Sequence, residues 1–105
     1  MSFRWPNKDP DETLDYSVDW SRFLSGATIS SCSWFVDNSS GVKTAITAGN
    51  TVNGIQNVAQ TISGSVATIN LGLGTNNTEY KVYCRITDSS GNVSERVVRL
   101  RIKEQ

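Results

Sequence analysis

The chain has 105 residues, 37% of them apolar and 19% charged, and carries no net charge. This is the composition of one ordinary globular domain, long enough to bury a core without metals or crosslinks, and it excludes a disordered chain. Zero net charge removes any bulk electrostatic pull toward nucleic acid or an acidic membrane.

Residues 1–13 read as an extended N-terminal arm. Pro6 and Pro10 push the residues before them toward extended backbone and do not fit inside a central ladder. Phe3 and Trp5 are large apolar side chains on an otherwise polar segment. Either they tuck over one end of the body or they dock on a partner, as exposed aromatics do at interfaces. The body is expected to span residues 14–105.

Leu14 to Trp20 alternates, with Leu14, Tyr16, Val18 and Trp20 on one face and Asp15, Ser17 and Asp19 on the other, which predicts a first strand. Ser21 to Leu24 has room for one helical turn, capped by Asp19 or Ser21. Thr28 to Asp37 is a second strand. Its Cys32, Trp34 and Val36 share a face while Ile29 and Phe35 fall on the other, so either both faces are partly covered or a bulge shifts the register. Asn38-Ser39-Ser40-Gly41 is turn chemistry.

Val42, Thr44 and Ile46 suggest a short third strand. The stretch 48–65 is rich in Asn, Gln, Ser, Thr and Gly and is expected to be a loop, with two short edge strands near Thr51 and Ile55 around an Asn53-Gly54 turn. Val66 to Leu73 is another strand, and Gly74 to Asn77 turns the chain back.

The last stretch, Thr78 to Lys103, reads as a long hairpin. Tyr80, Val82, Cys84 and Ile86 share one parity on its first arm, and Val98, Leu100 and Ile102 on its second. Asp88 to Asn92 is the turn, with Gly91 free to take positive φ. The wet face gathers Arg85, Arg96, Arg99 and Arg101 with Lys81 and Lys103. It is either a charged face that keeps a sheet from sticking to itself or a docking surface for acidic groups. Tyr83 is the aromatic expected among these charges. The whole predicts an all-β fold, an immunoglobulin-like sandwich of about seven strands. Cys32 and Cys84 fall on core-facing strands, and in a cytoplasm buried thiols are favoured over a bridge.

Little in the chain points to chemistry. Histidine is absent, which removes the commonest general base, the commonest transition-metal ligand and every Ser-His or Cys-His pair. Asp9, Asp11, Glu12 and Asp15 lack the spacing and glycine of a calcium loop. No phosphate-cradling glycine loop is present. The expectation is a non-catalytic protein without cofactor or metal. No apolar run approaches the ~20 residues of a membrane helix, and MSFRWPNKDPDE has no apolar signal-peptide core, so synthesis in a cytoplasm is expected.

The segment from Phe3 to Leu24 is the most distinctive. Trp5-Pro6, Lys8-Asp9-Pro10-Asp11-Glu12, Leu14-Asp15-Tyr16 and Asp19-Trp20 at these spacings resemble the start of small tailed-phage structural proteins, the fibre-tail adaptors with an Ig-like body. Thr28-Ile29 through Trp34 and Val36, and the closing TDSSGN hairpin, extend the resemblance over essentially the whole chain. It implies a virion protein joining tail or baseplate to a fibre, made in the host cytoplasm, present in multiple copies in a symmetric assembly, and binding other virion proteins but neither nucleic acid nor membrane. The expected contact residues are Phe3, Trp5, Asp9, Asp11 and Asp15 on and beside the arm, with Arg99 and Arg101 as a second set. The competing readings are a capsid decoration protein and a carbohydrate-binding module using Trp5, Trp20 or Tyr83. Removing residues 2–12 is expected to leave a folded domain that no longer assembles.

Overall fold

The computed structural model describes residues 3–37 and 42–104, with the backbone alone at Phe3. The expected turn at 38–41 lies outside the described residues. Nine strands are present among those residues: β1 (Phe3–Arg4), β2 (Leu14–Asp19), β3 (Ile29–Asp37), β4 (Thr44–Ala45), β5 (Thr51–Val52), β6 (Ile55–Ser63), β7 (Val66–Leu73), β8 (Thr78–Asp88) and β9 (Val93–Ile102), with one helical turn, α1 (Ser21–Leu24). They form a five-stranded sheet in the order β1-β9-β8-β3-β4 and a four-stranded sheet in the order β2-β7-β6-β5. Every pairing is antiparallel except β1 with β9.

The two inner faces share one core. Tyr16, Val18, Ala67, Ile69 and Leu71 come from the four-stranded sheet, and Trp34, Val36, Tyr80, Val82, Cys84, Ile86, Val98, Leu100 and Ile102 from the five-stranded one. Their period-two spacing is the reason these segments are strands, since each buries alternate side chains against the opposite sheet. Leu14, at the start of β2, stays exposed. At α1, Trp20 occupies the cap position while Asp19 Oδ1 accepts the Ser21 N–H at 2.9 Å.

One sequence expectation changes here, and one open alternative is resolved. The stretch 48–65 contains a nine-residue strand, β6, where a loop was expected. Asn57 faces Leu71 and Ala59 faces Asn70, so Val58 is an extra residue that flips the parity of everything after it. The buried inner positions are Ile55 and Asn57, and Asn57 Nδ2 donates to Ile46 O at 3.2 Å and Gln60 Oε1 at 2.9 Å. A bulge combined with polar inward residues leaves no hydrophobic alternation to read. In β3, Ser30 is likewise extra between Ile29 and Ser31. The bulge returns Ile29 to the core, while Phe35 remains on the outer face. Both alternatives posed by the sequence hold, each for a different residue.

Cys32 and Cys84 lie on neighbouring strands of the same sheet, not across the core, with their sulfurs 3.5 Å apart and unbonded. The thiol–thiol hydrogen bond and burial together push Cys32 above the ordinary thiol range. One end of the sandwich is closed by Tyr80, whose hydroxyl donates to Asn53 O at 2.6 Å and accepts the Thr75 N–H at 3.1 Å. Gly74 meets this end at φ +107°, and a Cβ there would sit 2.8 Å from Ile102, so the position takes glycine on both counts.

The arm is packed onto the body. After β1, Trp5 N–H donates to Arg99 O, Lys8 N–H to Arg101 O, and Lys103 N–H returns to Lys8 O, at 2.9, 3.0 and 2.8 Å. The Trp5 ring stacks on Tyr16 at a 4.6 Å centroid distance and lies 6.4 Å from Trp34. Lys8 has no exposed surface, and its ammonium donates to Leu73 O at 2.6 Å and Asp9 O at 2.8 Å. Burial lowers the Lys8 pKa, while the charges of Glu12, Asp9 and Asp11 pull it back up. The arm therefore contributes to the buried structure, which revises the expectation that its removal leaves the fold untouched.

Tyr16 gives a testable consequence. Its hydroxyl is buried with no hydrogen-bond partner among the described residues, and burial, aided by the Glu12 charge, pushes its pKa up to about 12. A folded-state pKa above the unfolded value of about 10 means stability present below pH 10 and lost between pH 10 and 12. Tyr16→Phe should be neutral or stabilise by up to about 1 kcal/mol at pH 7, because it removes an unpaired buried hydroxyl. It should also lose less stability than wild type between pH 10 and 12. Thermal melts across that range check both; a loss above about 2 kcal/mol at pH 7 would show that the hydroxyl has a structural partner.

Candidate partner-binding surfaces

The acidic residues of the arm form a local turn. Asp9 N–H donates to Glu12 Oε1 at 2.8 Å, Asp11 N–H to Asp9 Oδ1 at 2.8 Å, and Glu12 N–H to Asp9 O at 2.9 Å. The Asp9 and Glu12 carboxylates thus shape the turn, and Asp11 projects into solvent. Asp15 is exposed on the outer face of β2, where Oδ1 accepts from Asn70 Nδ2 at 2.7 Å. Phe3 sits opposite Val98 on the sheet edge. Trp5 is half-buried in its stack with Tyr16, so only part of its ring is available to a partner. Three of the predicted residues, Trp5, Asp9 and Asp11, thus lie between β1 and β2, and Asp15 follows on β2 itself.

The outer face of the five-stranded sheet is organised in rows. Ala45, Phe35, Tyr83 and Val97 follow one another in register across four strands. Ser33, Arg85 and Glu95 form the row on one side; Asp37, Lys81, Arg99 and Arg4 form the row on the other. Lys43 Nζ lies 5.1 Å from the Phe35 ring centroid and 5.0 Å from that of Tyr83, and the Arg85 guanidinium lies 4.9 Å from Phe35. Both cations also reach Glu95 at 3.1 Å. Glu79 takes Arg4 at 2.6 Å and Arg99 at 3.3 Å, and the hydrogen bond from Arg4 leads the effects that hold its carboxyl below the usual range. Arg101 stands opposite Glu79 in the ladder. Arg99 and Arg101 are thus on this basic face, on the strand along which the arm runs, with Arg99 O and Arg101 O accepting from Trp5 and Lys8.

Two residues of this face were not among the expected contact residues. Phe35 and Lys43 join Tyr83 to make an aromatic strip under cations. The available signal was that Phe35 has the opposite parity to Trp34 and so must stand outward beside a neighbouring strand. Arg96 is corrected in the other direction. It shares the even parity of Val98 and Leu100, and its guanidinium lies 4.4 Å from the Trp20 ring centroid and donates to Asp19 O at 3.1 Å. It closes the sandwich edge and does not decorate the wet face.

Beside Arg96, a groove of about 260 Å³ runs between the sheets, lined by Arg4, Trp5, Ser17, Val18, Asp19, Arg96 and Val98. Trp20 is fully buried and offers no platform for a sugar. Among the described residues, no group of three His, Cys, Asp or Glu side chains is placed to hold a metal ion, and no helix is long and apolar enough to cross a membrane.

Residues 8–101 match the family model described as podophage GP4 fiber-tail adaptor protein gp77. The chain belongs to this fibre-tail adaptor family. No curated protein matches the sequence. The fibre-tail adaptor match begins at Lys8, the buried anchor of the arm, and ends at Arg101. It includes Asp9, Asp11, Asp15, Arg99 and Arg101 and leaves Phe3 and Trp5 outside. Membership makes the chain a phage structural protein of the virion, with other virion proteins as partners.

Proposed function

We propose that this fibre-tail adaptor is a non-catalytic bridge between the tail or baseplate and the tail fibre, present in several copies in a symmetric assembly and made in the host cytoplasm. The observation that carries the reading is the presence of two surfaces of unlike charge on one body. The acidic turn with Asp9 and Asp11, next to Asp15 on β2, is one; the basic, aromatic outer sheet with Arg99 and Arg101 is the other. A bridging protein needs two surfaces that do not compete, and opposite charge gives each its own partner. In this proposal Phe3, Trp5, Asp9, Asp11 and Asp15 contact one neighbour, and Arg99 and Arg101 the second. We further propose that the body is an Ig-type sandwich, a reading supported by the sheet orders β1-β9-β8-β3-β4 and β2-β7-β6-β5.

The test is localisation on purified particles with a gold-labelled antibody fragment and negative-stain microscopy. Label at the tail is expected. Label over the head would replace the adaptor role with capsid decoration. Unlabelled particles, with the epitope shown to be accessible, would remove the virion role and make glycan binding the next assay.

A further inference from the structure

One edge of the four-stranded sheet carries unused backbone hydrogen-bonding groups. β2 pairs on one side only, with β7, in an unbroken register from Leu14 opposite Leu71 to Asp19 opposite Val66. One step further in the same register, Trp20 N–H donates to Ser65 O at 2.8 Å. Hydrogen-bonded pairs alternate with non-bonded pairs along an antiparallel ladder. Tyr16 and Val18 therefore bond to β7, and the N–H and C=O groups of Asp15, Ser17 and Asp19 point away from it. The Asp19 carbonyl agrees with this direction, since it accepts from Arg96 at 3.1 Å. Asp15 and Ser17 have no backbone partner on that side among the described residues.

Proteins ordinarily blunt such an edge with a lysine, a proline, a bulge or a very short strand. β2 has six residues, a straight register, and neither lysine nor proline. Its only charges are the carboxylates of Asp15 and Asp19. We propose that β2 is a strand-acceptor edge, to which an extended basic segment of another virion protein adds as the next strand. The identity of the donor as a virion protein rests on the adaptor reading.

The chemistry of the donor follows from the two sides of β2. Side chains on its outer face meet Asp15 and Asp19, so Lys or Arg belongs there. Side chains of opposite parity enter the groove of about 260 Å³ against Trp5, Val18 and Val98. Arg4 and Arg96 line that groove beside Asp19, so its charges answer one another, and the apolar walls of Trp5, Val18 and Val98 take an apolar residue. The donor thus alternates basic and apolar residues. A second copy of this chain does not fit. Any β2-to-β2 register that keeps Tyr16 and Val18 inward places the acidic rows of both copies on one face, where like charges destabilise the pair.

The test is amide hydrogen exchange of this protein in purified particles against the isolated protein. The Asp15 and Ser17 amides are expected to exchange at least tenfold more slowly in the particle. Two variants accompany it. Ser17→Pro removes an edge N–H without removing a bond to β7, and Asp15→Lys reverses the charge on the outer face. Each is expected to enter particles at least tenfold less well than wild type while melting within a few degrees of it, since each gives up only an exposed side-chain bond, to Thr68 or to Asn70. If Ser17→Pro does not fold, Asp15→Lys decides. Particles that contain the chain but leave both amides exchanging at the isolated rate overturn the strand-acceptor edge and leave the adaptor role standing. Protection of both amides on self-association of the isolated protein overturns the basic donor in favour of a second copy. Particles without the chain overturn the edge and the adaptor role together.

Discussion

Lys8→Ala is expected to cost the fold about 2 kcal/mol, because it takes the ammonium donor from Leu73 O while Asp9 O keeps the Glu12 N–H, and one such loss costs roughly 1–3 kcal/mol. The ammonium is the hydrogen-bond partner of Leu73 O and Asp9 O, and the residue has no exposed surface. Leu73 itself holds a left-handed backbone at φ 58° before Gly74 at φ 107°, so the carbonyl that Lys8 grips belongs to a strained corner. Lys8→Met separates the two contributions of the side chain, since it keeps an apolar stem of similar length and removes the donors. Urea denaturation of both variants measures the effect as a shift in midpoint at unchanged slope. A cost under about 1 kcal/mol for both would mean that water satisfies the Leu73 carbonyl, and the anchoring role would be wrong.

Removal of residues 1–12 is expected to be more severe, on the order of 5 kcal/mol, which is a large share of the roughly 5–15 kcal/mol that holds a domain together. It deletes the Lys8 anchor, the β1 ladder along β9 and the Trp5 ring over Tyr16. Burying an aromatic side chain is worth roughly 1.5–3 kcal/mol, and Trp5 is half-buried. The truncated protein should therefore show an early, broad thermal transition. A truncated chain that melts within a few degrees of wild type would show the arm to be an appendage. This matters for function, because loss of assembly on truncation would report unfolding as readily as a lost contact. Asp11→Lys is the cleaner probe of the arm as a docking surface. Its side chain is exposed, and the turn contacts are made by its backbone and by Asp9 and Glu12.

The two edges of the sandwich near the arm explain how these effects relate to partner binding. Trp5 and Lys8 fix the arm along β9, and the fixed arm forms one wall of the groove whose other wall is β2. A variant that loosens the arm is expected to disturb strand addition at β2 as well, so the stability of each variant has to be measured beside its assembly.

The sequence by itself determined the all-β character, the long closing hairpin with its Gly91 turn, and most of the core. Alternation along Leu14–Trp20, Val66–Leu73 and Thr78–Ile102 is a local property, set by which side chains must leave water. It also placed Arg99 and Arg101 on a wet face and singled out the arm. What it left undecided depends on contacts between distant residues. The bulges at Ser30 and Val58 each shift parity by one residue, so β6 has no pattern to read and Ile29 falls on the wrong parity until its partner strand is known. Arg96 is drawn to the sandwich edge by Trp20 and Asp19, which lie more than seventy residues away. Lys8 is polar in every local respect, and only the corner at Leu73 gives its ammonium two carbonyls and a reason to be buried. Side-chain alternation is written in consecutive residues, whereas burial of a charge and exposure of a strand edge are decided by what the rest of the chain brings alongside.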